Sequence, residues 1–302
     1  MVLRIAIAGG TGLVGSKLIQ LCIERGYEVI VLTRSENKVE KGVTYVQWMK
    51  NGADPTNFLD GTDAFVNLAG VSLSGGRWTE EFKEQIYKSR IQAANEAFRL
   101  LQSILNRPKV YVSASAVGVY PNSETEIYTE KSNKVATDFL GVTVKDWEQH
   151  AKSFGELGMR TAFCRFGVIL DKNEGALPRM AMPYQFYVGG TVGSGQQWLP
   201  WIHVEDAARA ILYIIDNEQL DGPVNVTSPN MKRMKQFGKT IGDVLGKPHW
   251  LKVPRFALKT ALGEQSQLVL EGQYVVPEKL LEHGFTFKYA SLDDALRNLY
   301  KK

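Results

Sequence analysis

The sequence predicts an α/β protein built on a doubly wound parallel sheet, and three observations predict it. Apolar runs of strand length alternate with helix-period patterns along the chain. The first run breaks into a glycine turn that passes directly into an amphipathic helix. The 302 residues, 44% hydrophobic and 23% charged, are of ordinary globular composition and suffice for a substantial core.

The opening stretch is Ile5-Ala-Ile-Ala-Gly9-Gly10-Thr11-Gly12-Leu13-Val14-Gly15. Gly9 lets the chain turn sharply out of the strand, Gly12 lets backbone approach a pyrophosphate, and Gly15 lets the helix pack closely on the strand. The helix start then faces an anion with free N–H groups and a partial positive charge. Gly9, Thr11, Gly12, Leu13, Val14 and Gly15 are therefore the expected dinucleotide contacts. The helix continues through Leu18, Leu21 and Cys22 and closes at Arg25-Gly26.

A second strand, Glu28 to Leu32, ends in Thr33-Arg34-Ser35. A cofactor with a free ribose 2′-hydroxyl favours a carboxylate at this place, whereas a 2′-phosphate favours a guanidinium. The expected cofactor is NADP(H), with Arg34 on the 2′-phosphate and Thr33 and Ser35 as further donors; the alternative for Arg34 is a solvated loop cation. Val43 to Trp48 reads as a third strand. Asp63 to Leu68 reads as a buried fourth, running into Ala69-Gly70, so Leu68, Ala69 and Gly70 border the cofactor's path.

The Ser72-Leu-Ser-Gly-Gly-Arg77-Trp78 connection leads into a helix from Thr79 to about Leu105. Ligands bind in loops at the carboxyl ends of parallel strands, so Arg77 and Trp78 are candidates for a substrate rim, with packing of Trp78 on the helix start as the alternative. The fifth strand, Val110 onward, carries Ser113 and Ser115 and turns at Tyr120. Thr161 to Leu170 reads as one sixth strand that brings Arg165 toward the cofactor. The aromatic and glycine-rich stretch from Leu177 to Trp201 offers Gln196 and Trp198 to a substrate, or forms an oligomer or core surface instead.

In Trp201-Ile-His203-Val-Glu205-Asp206, His203 is either a substrate-side base or a structural residue held by acids that cap the following helix. Pro223 onward gives another strand, and Met234 to Leu245 another helix. A helical tail from about residue 248 has too few apolar anchors to stand alone and is expected to close over the substrate side.

The net charge of +4 is spread along the chain, which argues against nucleic acid as a partner. Cys22 and Cys164 sit in apolar patterns, so no disulfide framework is expected and a reducing, cytoplasmic setting fits. No apolar run reaches membrane-spanning length, and because Met1 runs straight into the first strand no signal segment is expected. His150, His249 and His283 lack ligand spacing, and no metal site is expected.

The G-x-x-G-x-x-G spacing and Asn67-Leu-Ala-Gly70 resemble the extended branch of the short-chain dehydrogenase/reductase superfamily. That resemblance implies a Rossmann-type sheet, and it makes Ser115, with Ser113 second, the serine that ends a strand and orients the substrate. It also implies a Tyr-x-x-x-Lys pair on the next helix, where the lysine and the cofactor ribose lower the tyrosine pKa for proton transfer. Counting back from Glu148, those places hold Leu140 and Val144, and Lys145 stands one residue off. Tyr120 is then the first candidate acid.

With the pair missing, the chain resembles an atypical group of this branch, the epimerase family similar to nucleoside-diphosphate-sugar epimerases. The matching words are Ser115-Ala-Val-Gly, Asp138-Phe-Leu, Trp147-Glu148, Arg165-Phe-Gly-Val-Ile-Leu170, Gly175-Ala-Leu-Pro, Gly189-Gly190, Gly193-Ser-Gly-Gln-Gln-Trp198 and Trp201-Ile-His-Val-Glu-Asp206. The resemblance implies an NADP-binding domain over 1–170, its sheet completed near 200–227. A small, mostly helical substrate region over 171–302 follows. It further implies an oxidoreductase or epimerase acting on a small polar molecule, as a monomer or as a homodimer paired through two long helices. A non-catalytic NADP(H) sensor is the competing expectation.

Overall fold

The computed structural model describes residues 2–301. Eight strands form the central sheet: β1 (Arg4–Ala8), β2 (Glu28–Thr33), β3 (Lys38–Glu40), β4 (Val43–Gln47), β5 (Ala64–Asn67), β6 (Val110–Ala116), β7 (Arg160–Phe166) and β8 (Gly222–Val226). Their spatial order is β8-β7-β6-β5-β1-β2-β4-β3, and every pairing is parallel except that of β3 with β4. The chain starts in the middle, runs outward through β2 and β4, then returns to β5 and proceeds the other way. The crevice at that reversal lies at the carboxyl ends of β1 and β5, where doubly wound sheets bind ligands.

Both faces of a parallel sheet are buried, so its strands carry apolar residues on each side. Ile5 and Ile7 of β1 face one layer, in which α1 (Leu13–Glu24) contributes Val14 and Leu18 and α4 (Val204–Asp216) contributes Ile211 and Ile214. Ala6 and Ala8 face the other layer, where α2 (Glu80–Ser103) and α3 (Phe139–Lys152) bring Ala93, Ala97, Leu100 and Ala151. Thr79 caps α2 by accepting the Phe82 N–H, and Asp138 caps α3 by accepting that of Gly141. A third apolar cluster joins Leu177, Tyr184 and Trp201 to Phe237 and Ile241 of α5 (Met234–Leu245) and Leu296 of α6 (Leu292–Tyr300).

Three features differ from the sequence expectation. The third strand has an antiparallel partner, β3, whose three residues are all exposed and so leave no apolar signature. The sixth strand is not continuous to Leu170: β7 stops at Phe166, and Val168–Leu170 pairs separately with Trp201–His203. The break falls at Gly167, where any side chain would press on the Pro200 carbonyl at 2.7 Å. The tail is also not purely helical, because Tyr274–Val275 pairs in parallel with Ile127–Tyr128. Among the described residues no helix is long and apolar enough to cross a membrane, and Cys22 and Cys164 are free and buried.

Candidate functional site

The parallel register sets Ala8 level with both Leu32 and Asn67, so the turns after β1, β2 and β5 open at one edge of the sheet. Gly9, with φ of 78°, makes the first turn beneath the main chain of Leu68; a methyl group there would come within 2.6 Å of the Leu68 carbonyl carbon. Gly15 is needed for a different contact from the one its spacing suggests. It packs on the turn itself rather than the strand, since its methyl would meet the Gly9 oxygen at 2.4 Å. Gly12 is the N-cap of α1 and provides no side-chain acceptor, and the first turn holds no acid. Thr11 and Gly12 are exposed, Leu13 is half-buried and Val14 is buried. This helix start is open and uncapped, and it fits a phosphate.

Arg34 and Ser35 follow β2 at the same edge, both exposed, in an open cleft of about 580 Å³ that also holds Glu36, Gln47 and Lys50. Arg34 has no ion pair among the described residues, while Thr33 Oγ1 is used locally, accepting the Ser35 N–H at 3.2 Å. At the end of β5, Asn67 Oδ1 accepts the Ala69 N–H and Ser89 Oγ accepts that of Val71, which fixes Leu68, Ala69 and Gly70 along the crevice. The Arg90 side chain of α2 lies beside Gly70, which stays exposed. Sequence reasoning missed Arg90, although a signal existed: it lies four residues after Ile86 and three before Ala93, on the buried face of its helix.

A buried polar chain lies beside this crevice. Ser115 Oγ donates to Glu148 Oε1 at 2.6 Å, and Arg165 grips both Glu148 oxygens through Nε and Nη2 at 2.8 Å each. Arg165 Nη1 donates to the Tyr120 hydroxyl, which contacts Asn225 Oδ1 at 2.9 Å and the Thr129 carbonyl at 3.0 Å. Burial works against the Arg165 charge, but Glu148 and Tyr120 outweigh it and hold the guanidinium above its ordinary value. Burial also pushes the Tyr120 phenol up, with Arg165 pulling back.

These contacts bear on four of the expected residues. Arg165, expected on the cofactor, is held by Glu148 and Tyr120. Tyr120, expected as the acid, is almost wholly buried, its phenol is harder to ionise than normal, and its hydroxyl contacts Arg165, Asn225 and the Thr129 carbonyl. Ser115 spends its one proton on Glu148 and can only accept from a ligand. Ser113 is buried and its hydroxyl turns back onto the Ala114 carbonyl.

Arg77 and Trp78 on one hand and Gln196 and Trp198 on the other, all expected on the substrate side, form two groups that no hydrogen bond joins among the described residues. Trp78 takes the packing alternative: it is 6% exposed, its Nε1 donates to the Leu73 carbonyl, and its ring meets Phe139 edge-on. Arg77 stays exposed beside Gly263. Trp198 donates to the Glu124 carbonyl and packs edge-on against Tyr274, while Gln196 is exposed and offers its carbonyl to Arg233.

The tail runs between the two groups. Gln265 donates to the Leu73 carbonyl, and the Val269 carbonyl accepts from Gln197. His203 is buried and is itself the cap of α4, its Nδ1 accepting the Glu205 N–H at 3.1 Å. The expected arrangement is thus reversed, because the acids do not hold the ring. Glu205 pairs with Lys288, and Asp206 accepts the Lys288 and Tyr289 N–H groups of the tail.

On α3, Leu140 is half-buried and Val144 is buried, and neither carries a proton-transfer group. Residues 5–139 and 172–227 match the model of the NAD dependent epimerase/dehydratase family, and residues 253–299 match a domain of unknown function. The chain is 47% identical over 298 residues to the epimerase family protein YfhF of Bacillus subtilis, covering 98% of each. It is 41% identical over 300 residues to the epimerase family protein SAR0825 of Staphylococcus aureus, again covering 98% of each. Among solved structures, the human epimerase family protein SDR39U1 with NADPH superposes with a TM-score of 0.89 at 30% identity, covering 98% of this chain and 99% of that one.

Proposed function

The chain belongs to the NAD dependent epimerase/dehydratase family, and from that premise we propose that it binds NADP(H) and acts as an oxidoreductase or epimerase on a small polar substrate. The observation that carries this reading is Arg34: exposed, without an ion pair among the described residues, and at the end of the strand beside the open start of α1. Thr11, Gly12 and Leu13 would take the pyrophosphate, Arg34 and Ser35 the 2′-phosphate, and Leu68 to Gly70 the path between. When bound, the nicotinamide supplies or takes up a hydride. The human relative solved with NADPH supports the choice of cofactor.

Ser115 then sets what the substrate must present. Its proton is held by Glu148 at 2.6 Å, so its oxygen offers lone pairs and favours a substrate hydroxyl or N–H over a bare carbonyl. Calorimetric titration with NADPH and NADH, repeated on Arg34→Ala, tests the cofactor reading. The expected result is tight NADPH binding that falls toward the NADH value in the variant; equal binding of both nucleotides by the unaltered chain would overturn it.

A second reading, a non-catalytic NADP(H) sensor, is favoured by Leu140 and Val144 standing where a proton-transfer pair is expected and by the engaged hydroxyl of Tyr120. Oxidation of bound NADPH by any member of a panel of carbonyl compounds would exclude it.

A further inference from the structure

The basic residues are spread over the chain, but their balance with the acids is uneven. Residues 232–259 hold six lysines and two arginines against one acid, Asp243, which leaves 28 basic and 31 acidic residues elsewhere. The excess of positive charge is therefore local. Of these eight cations only Arg255 makes an ion pair among the described residues, with Glu271.

Large apolar side chains stand open to solvent at the same place. Phe186, Tyr187 and Trp250 are 70%, 58% and 66% exposed, and Val188 is exposed beside them. Hydrogen bonds join them into one patch. Trp250 Nε1 donates to the Tyr187 carbonyl at 2.9 Å, and the Trp250 main-chain N–H donates to the Gly189 carbonyl at 3.1 Å. Lys247 Nζ lies 3.8 Å from the centre of the Tyr187 ring. Lys252 is exposed two residues after Trp250, where strand alternation along Leu251–Val253 sets it on the same side. The helix that follows, Arg255–Leu262, buries none of its residues and exposes Phe256.

Tyr187 is held outward at a cost. The helix Leu177–Gln185 ends in a Schellman turn, the Val188 N–H donating to the Pro183 carbonyl and the Tyr187 N–H to that of Tyr184. That turn places Tyr187 at φ 61°, a conformation that glycine adopts freely and a bulky residue does not. A ring kept exposed in a strained backbone gains little burial from the fold, which points to a use outside it.

We propose that this face lies on an anionic lipid surface. Phe186, Tyr187, Val188 and Trp250 enter the headgroup boundary, and Lys247 and Lys252 meet acidic headgroups. Apolar insertion and charge together give the two signals that stable surface attachment requires, without any span of the bilayer. The indole of Trp250 already has an acceptor, so leaving water strands no donor there. A second copy meeting this face with its own would set the two basic stretches against each other. Nucleic acid would use the cations but would leave Val188 without a partner. The proposal does not depend on the cofactor reading.

Flotation of the full chain is measured with phosphatidylcholine vesicles and with vesicles of phosphatidylcholine and phosphatidylglycerol in equal parts, at low and at high salt. Binding is expected on the anionic vesicles, weaker in high salt, and little on the neutral ones. Phe186→Ser combined with Tyr187→Gly should weaken it about tenfold or more. Lys247→Gln combined with Lys252→Gln should also weaken it about tenfold or more. Tyr187→Gly alone puts the favoured residue at φ 61° and should not lower the melting temperature, so its loss of binding is not a loss of fold.

The proposal is overturned if the chain does not float with anionic vesicles at low salt, or floats equally with both kinds. It is overturned as well if the ring variants bind like the unaltered chain, since charge alone would then suffice. Self-association seen by sedimentation velocity, abolished by the ring changes and without flotation, would give the face to a second copy instead.

Discussion

Arg165 donates to the Tyr120 hydroxyl at 2.8 Å while its Cζ lies 5.0 Å from the centre of the same ring, so one guanidinium both bonds and underlies a single tyrosine. Tyr120→Phe keeps the ring and removes the oxygen, leaving an Arg165 N–H and the Asn225 Oδ1 buried without that partner. The expected loss is about 1–3 kcal/mol of stability in urea unfolding. NADPH affinity by calorimetry should stay within about twofold of the unaltered chain, because the tyrosine acts as a clamp.

Glu148 is the only anion hydrogen-bonded to Arg165 among the described residues, and both side chains are about nine-tenths buried. Glu148→Gln strands the guanidinium and is expected to lose about 3–5 kcal/mol. Replacing both together, Glu148→Leu with Arg165→Leu, should cost less than the sum of the single leucine changes. A double-mutant cycle in urea measures that coupling.

The three glycines of the first turn separate stability from binding. Gly15→Ala drives a methyl into the Gly9 oxygen at 2.4 Å, an overpacking expected to lose about 1–3 kcal/mol. Gly12→Ala meets only the Gly9 oxygen at 3.4 Å and should leave the melting temperature nearly unchanged. Its cost should appear in NADPH titration, as a loss of about tenfold or more where the methyl crowds the phosphate.

His203 makes stability fall in acid. Its Nδ1 accepts the Glu205 N–H, which requires that nitrogen to be unprotonated. Burial lowers its pKa below the usual 6.5, against the pull of Asp206 and Glu205. The unfolded chain therefore binds this proton more readily than the folded one. The contribution is intact above 6.5 and drains away as pH falls from there toward the lowered folded value. His203→Asn keeps a capping acceptor and removes the titration, so its stability should change less than that of the unaltered chain between about pH 7 and about pH 5. Urea midpoints across that range check it.

Much of the sheet was legible because its signals are local. The Gly9, Gly12 and Gly15 spacing sits between a strand period and a helix period, and Thr79 and Asp138 announce their helices by residue type. The break at Gly167 was not legible, because the reason for it is the Pro200 carbonyl, thirty-three residues away in sequence. The same holds for the site. Arg34 is read from its place at a strand end, whereas Arg165, Glu148 and Tyr120 acquire their partners through contacts 17 and 45 residues apart that no period encodes. Arg90 fell between these cases: its place on a buried helix face was visible, but its approach to Gly70 emerges only from the fold.

The tail closes what earlier strands leave open. Gln273 donates to the Tyr120 carbonyl across 153 residues, and the Val276 and Val275 carbonyls accept from Asn225 and Thr227. Contacts so distant in sequence form slowly, whereas β1, β2 and β4 can pair as soon as they are made. On the ribosome, the nucleotide turn is therefore complete well before Tyr120, Asn225 and Thr227 gain their partners in the tail. A nascent chain stalled before residue 273 would hold its glycine turn in place with its second half still unsealed.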